Sequence, residues 1–244
     1  SNHIYATAAA ARHFGFNSIG MIRGERHSPL NPALSFAQSC GMQLHYVNRT
    51  QYREKHQPDY LQKIHQQFGN VYLIPEGGSN ELALRGCEEI VHEINRETDR
   101  RFDVICCASG TGATLAGITR AITDSQRAIG FSALKGGSFL YDEVATFLNE
   151  PSPTPGADTT KDKLTTKWQI EQDFHFGGYA RINDELTGFM KQFHIQHGFE
   201  LDAVYTGKMF YGLFHRIQSG HFEPGSVIVA VHSGGLQGNK GFNL

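Results

Sequence analysis

The feature of this sequence that most constrains its fold is an apolar run that leads through a glycine-rich loop into a helical pattern. Residues 103–109 read DVICCAS, a continuous apolar strand typical of the centre of a parallel sheet covered on both faces. Residues 110–114 are Gly-Thr-Gly-Ala-Thr, and a helical pattern covers 112–123. A strand followed closely by a helix is the repeating unit of α/β folds, and it predicts that class here.

The loop itself predicts a phosphate-binding site. Small residues let the backbone approach an anion closely, and the unpaired N–H groups of a helix's first turn favour negative charge. The residues expected to bind the phosphate are Ser109, Gly110, Thr111, Gly112, Ala113 and Thr114. The loop is not a P-loop, since no Gly-Lys-Ser/Thr follows, and it is not the dinucleotide GxGxxG motif, since Leu115 stands where the third glycine would be. An ordinary tight strand–helix turn is the alternative.

Strand and helix patterns alternate along the rest of the chain, as expected for parallel strands joined by right-handed crossovers. The predicted strands are 18–24, 43–47, 71–75, 103–109, 127–134, 168–174 and 227–233. The predicted helices are 31–41, 60–69, 81–94, 112–123, 183–196 and 206–218, besides an Ala-rich helix at the start of the chain. Residues 150–167 are rich in Pro, Thr and Lys and predict an exposed loop.

Charge and composition exclude several classes of function. The 244 residues carry a net charge of −2, which gives no support for binding nucleic acid or a membrane surface. The longest apolar runs are roughly five residues, far short of the ~20 that span a bilayer. The four cysteines show no CxxC spacing, so we predict neither a metal site nor a redox pair, but buried free thiols in a reducing cytoplasm.

Three further motifs stand at predicted helix starts and have two interpretations each. Ser1 and Asn2 precede the Ala-rich helix and either cap it or contact a ligand. Residues 75–80, Pro-Glu-Gly-Gly-Ser-Asn, either connect a strand to a helix or belong to a site. Tyr205 and Thr206 stand at the start of a helix. Either they are a core aromatic residue and a helix cap, or they face a site at the strand ends.

Five motifs in this order carry a family resemblance: SNHIYATAAAA, IPEGGSN, CASGTGATLAG, LDAVYTGKMFYGL and VHSGG. The chain from residue 1 to about 237 resembles the family of 1-aminocyclopropane-1-carboxylate deaminase and D-cysteine desulfhydrase. The resemblance implies pyridoxal 5'-phosphate as cofactor and an α/β, two-domain tryptophan-synthase-β-like fold (fold type II) with sheets rich in parallel strands. It also implies a smaller α/β domain over 1–70 and a larger cofactor-binding domain over 71–244.

The resemblance assigns roles to individual residues. Asn2 matches the asparagine that contacts the 3′ oxygen of the cofactor ring, and Ser1 lies beside the substrate carboxylate. Tyr179 and Tyr205 match active-site tyrosines. Thr206 lies where the family places the group that faces the pyridine nitrogen, a position at which the deaminases carry Glu and the desulfhydrases carry Thr.

One family feature has no counterpart in this sequence. The lysine that binds the cofactor covalently lies one helix and one strand before the Ser-Asn motif in this family. The chain starts at Ser1, and no lysine present, Lys208 included, stands in a matching context. We therefore expect the chain to lack the N-terminal segment of a longer protein.

The sequence predicts a pyridoxal-phosphate-dependent enzyme that acts on a small amino acid and releases ammonia and a 2-oxo acid. The reaction is β-elimination from D-cysteine or ring opening of the cyclopropane substrate. We expect a homodimer with no nucleic-acid or membrane partner. Two rival hypotheses are a catalytically silent relative that binds a phosphorylated ligand, and a nucleotide-binding α/β domain, which would need a ribose-binding acid that is not clearly placed here.

Overall fold

A computed structural model describes residues 1–98, 101–150 and 167–242, and helices and strands alternate through most of them. The chain divides into two units. One comprises Ser1–Ile74 with the residues from Lys240 onwards, and the other comprises Pro75–Asn239. Most of the loop predicted at 150–167 lies outside the described residues.

The first unit is built around a pair of parallel strands. Its elements are α1 (Asn2–Phe14), β1 (Ile19–Arg23), α2 (Pro32–Ser39), β2 (Gln43–Val47), α3 (Arg49–Arg53) and α4 (Pro58–Phe68). Strands β1 and β2 pair in parallel, with Ile19 opposite Gln43. A small core of Ala8, Ala37 and Met42 packs α1 against α2 and the strands.

The second unit contains a four-stranded, wholly parallel sheet in the order β5-β4-β3-β6. Its elements are α5 (Glu81–Glu97), β3 (Val104–Ser109), α6 (Ala113–Ala121), β4 (Arg127–Ser132), α7 (Phe139–Leu148), β5 (Trp168–Glu171), α8 (Asp184–His197), α9 (Thr206–Gln218) and β6 (Ile228–Ala230). Strand β3 therefore pairs on both sides, as its continuous apolar sequence predicts.

Adjacent cysteines occupy the middle of β3. Cys106 and Cys107 point to opposite faces of the sheet, and both are buried. Burial raises the pKa of the Cys107 thiol to about 12, and it raises the pKa of Cys106 still further. The prediction of buried free thiols is confirmed for these two residues, whereas Cys40 and Cys87 are half-buried.

Helices α5 and α6 cross at very short range because α6 carries a glycine at the contact. A Cβ atom placed on Gly117 would lie 2.5 Å from the Cβ of Cys87 and 2.6 Å from the carbonyl oxygen of Leu84. No other residue fits without moving one helix. This contact fixes α6, and with it the loop that precedes α6.

The structure corrects several predicted elements. Residues 71–75 form no strand, and the side chain of Tyr72 is 70% exposed. The segment joins the two units, and no described strand pairs with it. Its apolar residues therefore do not belong to either described sheet. Helices α3 and α7 were not predicted, and β5 and β6 are shorter than their predicted ranges. Within the described ranges, no helix is long and apolar enough to cross a bilayer.

Candidate active site

The glycine-rich loop lies at the carboxyl end of the central strand, where parallel α/β sheets bind ligands. Strand β3 ends at Ser109, and α6 begins at Ala113. Gly112 precedes the helix with a φ of 84°, in the left-handed region, and no side chain caps the helix. The backbone N–H groups of the first turn thus remain available to an anion, and the helix dipole favours negative charge there.

The loop fits a phosphate because its residues are small where the backbone must stay accessible. A Cβ atom on Gly110 would lie 3.1 Å from Cε1 and 3.2 Å from the hydroxyl oxygen of Tyr205. Any side chain at residue 110 would therefore fill the space between the loop and this tyrosine. The structure brings Tyr205, which is 95 residues away in sequence (205 − 110), into the same site.

Side chains of the loop point in different directions. The buried hydroxyl of Ser109 lies against Gly130 of β4 and has no hydrogen bond of normal geometry to a described residue. Burial raises the pKa of Cys87, and a hydrogen bond from the Thr114 hydroxyl offsets part of that rise. Thr114 thus faces α5 with its side chain, and its backbone N–H is the group that belongs to the helix's first turn.

The turn at residues 76–79 packs directly on the loop. A Cβ atom on Gly77 would lie 2.7 Å from Oγ1 of Thr111, and the Ser79 hydroxyl donates a hydrogen bond of 2.7 Å to that oxygen. Since the Thr111 oxygen accepts this bond, its own hydrogen remains available to a ligand. Of the two interpretations of this motif, the structure favours membership of the site over simple connection.

Two tyrosines meet next to the loop. The ring centroids of Tyr179 and Tyr205 are 6.1 Å apart in an edge-to-face arrangement. Burial raises the pKa of Tyr205 well above its usual value, and the nearby Tyr179, which accepts a hydrogen bond from it, raises that pKa further. Tyr205 therefore keeps its proton at neutral pH. Tyr179, by contrast, has a side chain that is 51% exposed.

A buried aspartate that the sequence analysis missed organises the start of α9. Oδ1 of Asp202 accepts hydrogen bonds from the backbone N–H groups of Val204 and Tyr205. Its Oδ2 accepts from the backbone N–H and from the hydroxyl of Thr206, each at 2.7 Å. A short polar residue just before a helix is a start signal, so the sequence Asp-Ala-Val-Tyr-Thr could have pointed to Asp202.

This network accounts for the Thr206 side chain. Thr206 is fully buried, its hydroxyl hydrogen goes to Asp202, and its oxygen also accepts a hydrogen bond of 2.9 Å from the backbone N–H of Asp202. The group present at residue 206 is therefore a neutral oxygen whose hydrogen is already used. Its position opposite a pyridine nitrogen stays a prediction.

The loop after β6 lies at the same edge of the sheet as the phosphate loop. Strand β6 pairs with β3, and the backbone N–H of Val231 donates to the carbonyl of Cys106. His232 fixes the following turn, because one ring nitrogen bonds the carbonyl of Glu200 and the other accepts from the N–H of Gly234. These two contacts orient the imidazole ring at the start of the loop.

Ser1 and Asn2 belong to the other unit, at the start of α1. Ser1 occupies the position before the helix, but its side chain makes no capping hydrogen bond. The capping interpretation is therefore not supported for Ser1. The roles that the resemblance assigns to Ser1 and Asn2 at a cofactor remain predictions.

The fold and the site together define a parallel α/β protein with a glycine-rich loop and a tyrosine pair at the carboxyl end of its central strand. Residues 1–234 match the family described as pyridoxal-phosphate dependent enzymes, and the chain belongs to that family. Its cofactor is thus pyridoxal 5'-phosphate, as the resemblance implied.

Within this family, the chain is similar to relatives with named activities. The chain is 28% identical over 259 residues to the mitochondrial bifunctional D-cysteine desulfhydrase/1-aminocyclopropane-1-carboxylate deaminase of Arabidopsis thaliana, a match that covers 98% of this chain and 62% of the relative. It is 26% identical over 249 residues to D-cysteine desulfhydrase of Klebsiella pneumoniae, with 96% and 73% covered.

A solved structure agrees with these relatives. A crystal structure described as that of an ACC deaminase homologue matches with a TM-score of 0.76 and 25% identity, over 100% of this chain and 74% of that one. The predicted family resemblance and α/β fold class are confirmed. These findings also support the enzyme over the silent binding protein and the nucleotide-binding domain.

Proposed function

We propose that this protein eliminates a thiol from the β-carbon of a small amino acid, as in the conversion of D-cysteine to sulfide, pyruvate and ammonia. Ring opening of 1-aminocyclopropane-1-carboxylate, which gives 2-oxobutanoate and ammonia, is the related reaction against which the proposal is tested. The observation that carries the choice is the neutral, buried Thr206 at the start of α9.

The backbone N–H groups of residues 110–114 would hold the cofactor phosphate, assisted by the Thr111 hydroxyl. The cofactor, when bound, supplies an electron sink for the bonds broken at the substrate's α-carbon. The chain's own contribution is to bind the phosphate, to orient the ring and to place protons. Asn2 and Ser1 would contact the ring's 3′ oxygen and the substrate carboxylate, respectively.

The tyrosine pair would supply and hold a proton near the substrate. Tyr205 retains its proton at Oη because burial and the hydrogen bond to Tyr179 raise its pKa. The more exposed Tyr179 is the member of the pair that solvent can reach. A tyrosine that stays protonated can donate a hydrogen bond but cannot act as a base.

The residue at 206 would influence the charge on the pyridine nitrogen. A carboxylate facing that nitrogen favours its protonated form, because opposite charges stabilise each other. Thr206 offers only a neutral oxygen, and the Asp202 charge behind it is shared among three backbone N–H groups and the Thr206 hydroxyl. A weaker electron sink suits a thiolate leaving group better than a carbon leaving group.

The test compares two substrates on the native protein and on Thr206→Glu. We expect the native protein to release sulfide and pyruvate from D-cysteine with a kcat/KM about tenfold or more above that for the cyclopropane substrate. Thr206→Glu should lower that ratio, since it replaces the neutral oxygen with a carboxylate. Because both kcat/KM values are measured on the same preparation, their ratio does not depend on what fraction of the variant protein is active.

Thr187→Glu is the matched control, since it adds a carboxylate near the start of helix α8 rather than to the helix that carries Thr206, and it should leave the ratio unchanged. Turnover of the cyclopropane substrate by the native protein, with no sulfide from D-cysteine, would overturn the proposal.

Two coarser expectations accompany the function. We infer a cytoplasmic location from the free thiols in the sheet, and a homodimer from the family resemblance. Size-exclusion chromatography coupled to light scattering tests the second of these.

A further inference from the structure

Lys208 stands where a lysine is least expected. It lies in the first turn of α9, where the helix dipole disfavours a cation, and its side chain is only 1% exposed. Burial of an ammonium group is unfavourable unless hydrogen bonds and charge compensate for it. A lysine kept there needs partners, and the partners indicate what it does.

The partners of Lys208 are backbone carbonyl groups of one turn. Its Nζ donates to the carbonyl of His175 at 2.9 Å and to the carbonyl of Gly178 at 2.7 Å. The Asp202 carboxylate lies near enough to favour the charged amine. Lys208 thus ties the start of α9 to residues 175–178, which are 30 or more positions earlier in sequence.

The turn that Lys208 holds has a backbone that does not form readily without support. Phe176 and Ala180 have φ values of 51° and 54°, in the left-handed region, and Gly177 and Gly178 have values of 91° and 118°. Left-handed conformations at residues other than glycine are unfavourable and persist only where surrounding contacts impose them. Tyr179 directly follows the 175–178 turn and precedes Ala180.

We propose that Lys208 is a positioning residue that clamps the 175–178 turn so that Tyr179 reaches Tyr205. Residue 205 directly precedes α9, and Lys208 lies in its first turn, so one helix start fixes both tyrosines. The importance of this clamp for turnover rests on the function proposed above, whereas the clamp itself does not.

Fluorine NMR of protein labelled with 3-fluorotyrosine tests the clamp without any substrate. The chain has nine tyrosines, and Tyr179→Phe and Tyr205→Phe each remove one signal and so assign it. In Lys208→Met, we expect the Tyr179 signal to shift, because its ring leaves the edge-to-face contact with Tyr205. The titration midpoint of Tyr205 should fall, because Tyr205 gains solvent and loses its partner.

Two more variants sharpen the test. Lys208→Gln keeps one N–H donor group on a shorter side chain and should give intermediate shifts. Lys191→Met removes an exposed lysine of α8 and should leave both tyrosine signals unchanged. With substrate, Lys208→Met should lower kcat by about 100-fold, the usual effect of a misplaced reacting group, with a smaller change in KM.

The outcomes separate this inference from the proposed function. Unchanged tyrosine signals in Lys208→Met overturn the clamp, even if the protein releases sulfide from D-cysteine. Failure of both Lys208 variants to fold also overturns it, since Lys208 would then be required for the fold rather than for positioning. Shifted signals in a protein whose native form turns over neither substrate support the clamp and reject the proposed function.

Discussion

Lys208 shows how the cost of burying one residue can be measured. Burial lowers the pKa of its ammonium group from the usual 10.5 to about 8, and the Asp202 carboxylate recovers only part of that loss. A buried cation with a lowered pKa is less stable in the folded chain than in the unfolded one. Lys208 therefore makes the folded state less stable at neutral pH than a neutral amine would.

The sign of the resulting pH dependence follows from linkage. Between pH 8 and 10.5 the unfolded chain binds the lysine proton and the folded chain has released it. The contribution of Lys208 to the free energy of unfolding therefore rises with pH across this window, by at most about 3 kcal/mol. Below pH 8 the penalty is constant.

Urea unfolding between pH 7 and 10.5 measures this contribution by comparing the native protein with Lys208→Met. The difference in unfolding free energy, native minus variant, should increase with pH, while the same difference for Lys191→Met stays flat. Cysteines and the tyrosines other than Tyr205 titrate alike in both chains and cancel in the comparison, and making it in a Tyr205→Phe background removes the remaining one. Parallel curves for Lys208→Met and the native protein would contradict the lowered pKa.

The role of a single residue could be predicted where it depends on residues nearby in the sequence. Gly110 and Gly112 follow from a strand, a loop and a helix within one short stretch of sequence. Lys208 does not, because its partners are the carbonyl groups of a distant turn. The sequence gives no sign that a lysine just inside a helix would be buried.

At the scale of elements, the same distinction between local and distant causes holds. Helix α9 has its predicted bounds, 206–218, because a long periodic apolar face indicates a helix by itself. The strand predicted at 71–75 is wrong because a strand needs a neighbour, and an apolar pentapeptide does not reveal whether one exists. Helix α7 was missed although its buried Leu140 and Val144 have helical spacing, since ten residues give only a weak period.

Close contact between α5 and α6 leads to a prediction about helix glycines. Gly117→Ala should destabilise the protein by about 1–3 kcal/mol, because the added Cβ has no space against Leu84 and Cys87. Gly86→Ala, in the facing helix, is the matched control: nothing lies within 4 Å of its added Cβ. The control should stabilise by up to about 1 kcal/mol through helix propensity. Thermal and urea unfolding of both variants would reveal the opposite signs, and equal signs would contradict the close approach.

At the scale of the whole molecule, the strand order of the second unit brings its site loops close together. The order β5-β4-β3-β6 puts the loops after β3 and β6 at one edge of the sheet, although they are more than a hundred residues apart in the chain. Alternation of strands and helices predicts parallel pairing but not that order. The expectation that Tyr205 belongs to the same active site as the glycine-rich loop came from family resemblance, since no local pattern joins them.

The two cysteines of β3 make the centre of this molecule chemically inert. Thiol–disulfide exchange and alkylation both require a thiolate, and burial keeps Cys106 and Cys107 protonated and out of reach. A disulfide in solution therefore cannot exchange with either thiol unless the sheet first opens.

Because these two thiols react only when the sheet opens, the rate of their modification reports how often β3 unfolds transiently. Under native conditions we expect iodoacetamide to modify the half-buried Cys40 first and Cys106 and Cys107 last, at a rate set by transient unfolding of β3. Peptide mass spectrometry over time in dilute urea would measure the modification rate of each cysteine. Modification of Cys106 as fast as Cys40 would show that the central strand is far more open than its burial indicates.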